Sequence, residues 1–171
     1  ANLTTPDPID FQQMLRKMAD AGAEYVVMEV SAHAIAMHRL DGMYYEVAGF
    51  TNFSQDHLDF FGDMETYLKT KLRFLSADRC GFVVYNADDE RSASRIAALS
   101  IPKISIGIRV GSEVHANDIE VSERGCRFRL TFSKRFSMPV QLQLAGIFNV
   151  YNSMMAATMC DALGIDRDAI Q

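Results

Sequence analysis

Val47-Ala48-Gly49-Phe50-Thr51-Asn52-Phe53-Ser54-Gln55-Asp56-His57-Leu58-Asp59-Phe60-Phe61-Gly62 is the stretch on which the fold turns. Val47 to Phe50 is a compact apolar run with polar residues after it, which reads as a buried strand. Behind it come two amides, a hydroxyl, two carboxylates and a histidine between Asn52 and Asp59, then a glycine. Polar groups packed at the end of a buried strand stand where open α/β sheets keep their ligand crevice. They can coordinate a hard cation and contact a phosphate. A polar loop that caps a helix has the same composition, so this stretch by itself leaves both readings open.

On either side the pattern alternates. Asp7 and Pro8 suit a helix start, and Phe11, Met14, Leu15 and Met18 recur at helical spacing up to Gly22. Tyr25-Val26-Val27-Met28-Glu29-Val30 reads as a buried strand carrying one anomaly, the Glu29 carboxylate. A metal or a cationic neighbour would account for it, and so would an outward-facing edge position. Ser31 to Arg39 reads as a loop running into a short helix. After Gly62 a helix is expected from about Met64 to Leu75. It places Lys71 on the apolar face with Tyr67 and Leu68, and Lys69 on the other face with Glu65. An inward lysine is either snorkelling or chemically employed.

Strands follow at 81–85 and 102–107, with helix signals between Asp88 and Leu99. This alternation predicts an α/β fold, a mostly parallel sheet flanked by helices, over 1–111. Residues 112–145 then alternate apolar and polar, most clearly in Cys126-Arg127-Phe128-Arg129-Leu130-Thr131-Phe132, with turns at Glu123-Arg124-Gly125 and over 133–139. That predicts a small antiparallel sheet of three strands, wet on one face. Residues 146–171 form a helical segment opened by Gly146-Ile147-Phe148-Asn149-Val150-Tyr151-Asn152. Asn149 and Asn152, three apart, can share one side of the helix start or serve as caps.

The bulk numbers bound the function. The 171 residues suffice for one domain with a real core, and 49% apolar with 23% charged is ordinary for a globular protein. A net charge of −5 argues against nucleic acid as a partner. No apolar run approaches the roughly 20 residues of a membrane span, and no signal peptide is visible. Cys80, Cys126 and Cys160 have no paired spacing, so neither a disulfide framework nor a zinc site is expected, and the expected compartment is the cytoplasm.

Taken together, six stretches resemble the central, ATP-binding domain of the Mur ligase family. They are Thr4-Thr5-Pro6, Met28 to His33, Phe50 to Asn52 with Asp56 to Asp59, Gly62 to Glu65 with Lys71, Asn86 to Asp89, and Gly146 to Asn152. Within the family the pattern is closest to the branch that adds the third residue of the peptidoglycan stem peptide. The resemblance implies an ATP- and magnesium-dependent amide ligase that works through an acyl phosphate. It implies UDP-N-acetylmuramoyl-L-alanyl-D-glutamate as one substrate and a diamino acid, diaminopimelate or lysine, as the other. By resemblance Glu29, His57 and Lys71 would be the catalytic and metal-binding set, Lys71 as a carbamate derived from carbon dioxide. Asn52 would lie near the phosphates, Asn149 and Asn152 beside adenine, and Thr4, Thr5, Ser31 and Arg39 against the muramoyl substrate.

Some positions depart from the family pattern. Ala32 stands where a second serine is frequent, Leu3 precedes the threonine pair, Met37 takes the place of a glutamine contact, and Phe61 and Phe148 replace histidines. No Gly-rich Gly-Lys-Thr/Ser phosphate loop occurs; in the family it lies upstream, on the first strand and helix of the same domain. The chain is therefore expected to be part of a three-domain enzyme, inactive by itself. With the first strand of the sheet missing, an open edge would favour self-association. The alternatives are another branch of the superfamily, such as a folylpolyglutamate synthase, or a non-catalytic module that binds nucleotide or metal.

Overall fold

The computed structural model describes residues 5–109, 111–133 and 135–170. They form two compact units, Ala1–Met43 with Asp56–Phe74, and Tyr44–Gln55 with Leu75–Gln171.

The first unit is helical. It holds α1 (Pro8–Asp20), α2 (Ala32–Ala36), α3 (Leu58–Phe61) and α4 (Met64–Leu72). Pro8 opens α1 as the sequence suggests, because its missing N–H is one the first turn leaves unbonded anyway. Asp63 caps α4: its two carboxylate oxygens accept from the Thr66 N–H at 2.8 Å and the Thr66 hydroxyl at 3.1 Å. Tyr67 and Leu68 turn inward on α4, and α2 and α3 pack against that helix. The faces follow the spacing: Lys69 pairs with Glu65 in solvent, whereas Lys71 is half-buried beside Tyr67.

The expected strand over Tyr25–Val30 does not form. The segment pairs with no strand among the described residues, and Tyr25, Val26 and Val27 are 58%, 46% and 93% exposed. An apolar run becomes a strand only where a neighbour completes its backbone ladder, and here none does. Glu29 is consequently exposed, and the puzzle of a buried carboxylate dissolves.

The second unit is one six-stranded sheet with strands in sequence order: β1 (Tyr45–Phe50), β2 (Cys80–Asn86), β3 (Lys103–Gly107), β4 (Val114–Ser122), β5 (Gly125–Phe132) and β6 (Phe136–Leu142). The first four run parallel and the last three antiparallel, so the mixed sheet changes direction at β4. The antiparallel strands are not a separate sheet. They are joined to β3 through the pairs Ile106↔Val114 and Gly107↔His115. Pro139, read from the sequence as part of a turn, sits inside β6, where a strand at the sheet's margin tolerates a missing N–H.

Helix α6 (Ile147–Ala162) lies across β1–β5 and buries Val150, Met154, Ala157 and Thr158, one stripe at helical spacing. The core beneath it takes Cys126, Phe128, Leu130 and Phe132 from β5, while Arg127 and Arg129 face water, the alternation the sequence predicts. Short helices α5 (Ala93–Ala97) and α7 (Arg167–Ile170) complete the unit.

Candidate functional site

The second unit carries a cavity at the carboxyl ends of its parallel strands. Thr51 and Asn52 follow β1, Asn86 ends β2 and Ile106 lies near the end of β3; Phe148, Tyr151, Asn152 and Met155 close it from α6. Crevices in open α/β sheets form at this end because the connections leave the sheet there. Its lining is three primary amides between aromatic and aliphatic walls. An amide both donates and accepts, and the flat apolar walls suit a ring. Such a lining fits a nucleobase.

One carboxylate organises the cavity's rim. Asp88 Oδ2 accepts from the Ile108 N–H at 2.7 Å, the Arg109 N–H at 3.3 Å and the Tyr151 hydroxyl at 2.7 Å. The Asp88 N–H donates to Asn86 Oδ1 at 3.0 Å. The loop can close this tightly because residue 107 is glycine: a Cβ there would stand 2.4 Å from Ser112 Oγ and 3.0 Å from each Asp88 oxygen. Burial, then the bond to Asp88 and its charge, push the Tyr151 phenol far above its ordinary range.

The helical unit gathers a second set. Thr5 is buried, and its hydroxyl donates to the Glu29 carbonyl at 3.1 Å and accepts from the Ser31 N–H at 3.3 Å. Ser31 caps α2 by accepting from the Ala34 N–H at 3.2 Å. Arg39 donates to the Thr5 carbonyl at 3.2 Å and meets Asp7 at 3.4 Å. Thr5, Ser31 and Arg39 are thus knitted into one patch. The bonds that hold the patch occupy part of the Arg39 fork, and its side chain is only 13% exposed. Thr4 lies outside the described residues.

His57 starts α3 in the left-handed conformation, φ 54°, with its N–H donating to Asp56 Oδ1 at 2.8 Å. The His33 ring stands edge-on to it at 4.6 Å and also packs on Phe60 at 4.4 Å. The Tyr67 ring lies 6.1 Å from His57 and 5.6 Å from Lys71 Nζ, so both of those residues flank the same ring. Burial, then the Asp56 charge, raise the Tyr67 phenol. Among the described residues no three His, Cys, Asp or Glu side chains form a metal-binding group. Of the set expected to hold a hard cation, Glu29 offers an exposed carboxylate oxygen, His57 an imidazole nitrogen in the same unit, and Lys71, beside the Tyr67 ring, would become an oxygen donor only as a carbamate.

The structure therefore sorts the sequence candidates. Asn52 and Asn152 meet in the cavity, whereas Asn149 turns away and its Nδ2 donates to the Ala145 carbonyl at 2.7 Å. The sequence reading gave no role to Asn86, Asp88, Tyr151 or His33. A signal is present for all four: Asn86 and Asp88 stand in the polar strand end Asn86 to Asp89, Tyr151 lies between the two asparagines, and His33 closes the stretch Met28 to His33.

The family model described as "Mur ligase middle domain" matches residues 1–160. A UDP-N-acetylmuramoyl-L-alanyl-D-glutamate--2,6-diaminopimelate ligase of Caldanaerobacter subterraneus is 38% identical over 168 residues, covering 98% of this chain and 34% of the relative. The ligase of that name from Geobacillus thermodenitrificans is 39% identical over 174 residues, covering 98% and 35%. Among solved structures, a ligase of the same name superposes with a TM-score of 0.87 at 28% identity, covering 98% of this chain and 35% of that one. MurF from Acinetobacter baumannii gives 0.63 at 29% identity, covering 72% and 27%. The chain thus spans about a third of the length of the curated relatives it matches.

Proposed function

The chain belongs to the Mur ligase family through that family's middle domain, and from this membership we propose that it is the nucleotide- and metal-binding part of an ATP-dependent amide ligase of peptidoglycan precursor synthesis. The substrate would be UDP-N-acetylmuramoyl-L-alanyl-D-glutamate. The relatives' names favour diaminopimelate over lysine as the residue added. In the first step a substrate carboxylate oxygen attacks the γ-phosphorus of ATP and ADP leaves. In the second, the amine attacks the acyl carbon and inorganic phosphate leaves with the electron pair of the broken C–O bond.

The observation that carries the reading is the amide-lined cavity at the carboxyl ends of the parallel strands. Asn86 and Asn152 would read the base edge, Phe148 and Tyr151 would wall its ring, and Asn52, in the same lining, would stand where the base gives way to the phosphates. Glu29 and His57 would hold magnesium, with Lys71, as its carbamate, supplying a third, oxygen donor. Magnesium, when bound, draws negative charge off the phosphoryl and carboxylate oxygens. Thr4, Thr5, Ser31 and Arg39 would face the muramoyl substrate. There Arg39 would meet a carboxylate or phosphate with whatever part of its fork Thr5 and Asp7 leave open.

The test is ligation by the polypeptide that carries this chain. With ATP and both substrates, mass spectrometry should find the two substrates joined with loss of one water, and ADP should appear in equal amount. ADP release without joined product, or no ADP, would refute the ligase reading. The isolated 171-residue chain is expected to form no product.

A further inference from the structure

Most residues around the cavity are explained by what they would touch. Asp88 is not: it does not line the cavity, yet its own bonds reach two residues that do. Its backbone N–H needs an acceptor, so the Asn86 amide must turn Oδ1 towards it, which fixes the assignment of the two amide ends. Asn86 is buried and lines the cavity, and Nδ2 is the donor that this bond does not use. The Asp88 carboxylate meanwhile takes the Tyr151 hydroxyl, across 63 residues of sequence, and ties down a second lining residue. Two further donors, the N–H groups of Ile108 and Arg109, keep that carboxylate in place. Arg109 is itself tied to Glu90 at 2.9 Å.

We propose that Asp88 is a positioning residue of the nucleotide site, whose backbone N–H and carboxylate set the Asn86 amide and the Tyr151 ring before the base arrives. The proposal rests on reading the cavity as the base site. A wall fixed in advance does not have to be ordered on binding, and that ordering cost otherwise subtracts from affinity. The consequence is selective. Releasing Tyr151 weakens recognition of the base and leaves recognition of the phosphates alone, because Asp88 reaches no group proposed to contact them.

Tyr151→Phe removes the hydroxyl and keeps the ring volume. In the polypeptide that carries this chain, the dissociation constants of Mg-ATP and of inorganic triphosphate are measured by calorimetry for the unmodified protein and the variant. The expected result is an ATP constant raised roughly two- to tenfold with the triphosphate constant unchanged, the cost of ordering one side chain on binding. Asp88→Asn, which keeps an acceptor but loses the charge, should move the same constant in the same direction. The double variant should add little to Tyr151→Phe, since the two act as one unit. Should Tyr151→Phe fail to fold, Asp88→Asn is read by the same criterion. Unchanged ATP affinity overturns the proposal. So does an equal loss for both ligands, which marks a general loosening. If the unmodified protein binds ATP no better than triphosphate, the base-site reading itself fails and the proposal falls with it.

Discussion

Met154→Ala should destabilise the sheet unit far more than a methionine truncation on the surface would. Met154 is fully buried in the stripe that seats α6 on the sheet. The change deletes three heavy atoms beyond Cβ. At about 0.8 kcal/mol per buried methylene-sized group the transfer loss is roughly 2.4 kcal/mol. The cavity left under a helix pinned at several other points adds to this, for a total of about 3–4 kcal/mol. That is a large share of the roughly 5–15 kcal/mol that stabilises an ordinary domain. Leu144, in the same unit, is 60% exposed, and Leu144→Ala should cost less than about 0.5 kcal/mol. The chain has no tryptophan, so urea unfolding is best followed by far-ultraviolet circular dichroism at helical wavelengths. Two midpoints that differ with an unchanged slope give the contrast directly. If Met154→Ala costs no more than Leu144→Ala, α6 is not seated as described, and the cavity it closes loses its wall.

Gly125→Ala should also destabilise the sheet, by about 3 kcal/mol, because φ is 144° and the new Cβ would lie 1.9 Å from the Leu142 carbonyl oxygen, a backbone atom that cannot step aside; the same urea titration measures it. Asn152→Ala should weaken Mg-ATP binding by about 1 kcal/mol, roughly fivefold, while Asn149→Ala, whose amide is spent on Ala145, should change it far less; calorimetry compares them. Lys71→Ala should abolish ligation by the full polypeptide and regain activity with added short-chain carboxylates, and carbon-13 NMR in labelled bicarbonate should show a carbamate signal only in the unmodified protein. Hydrogen bonds from the Thr66 N–H and hydroxyl hold the Asp63 carboxyl below its ordinary range. Its cap therefore stabilises α4 above the unfolded-state value and loses that contribution as pH falls through the lowered one. The gap in melting temperature between the unmodified chain and Asp63→Ala should be present at neutral pH and close under acid.

What the sequence could show was what depends on local pattern. The alternation from Cys126 to Phe132 announced a half-wet strand, and the spacing of Tyr67, Leu68 and Lys71 announced the inner face of α4. Tyr25–Val30 misled for a physical reason. Its composition is that of a buried strand, but burial and pairing are supplied by a neighbour, and none among the described residues supplies them. Asn149 and Asn152 look equivalent at a spacing of three, and only the position of the Ala145 carbonyl separates an amide spent on the backbone from one in the cavity wall. The bond between Asp88 and Tyr151 spans 63 residues and left no local trace beyond two polar side chains in motifs noted for other reasons.

The central claim is that the amide-lined cavity takes the adenine ring, and photolabelling with an azido-adenine analogue of ATP tests it most directly. In the polypeptide that carries this chain, peptide mapping should place the label on residues 146–155 or on Thr51 and Asn52, with excess ATP suppressing it. Suppressible label confined to the helical unit, or to the exposed face of β4–β6, would contradict the account.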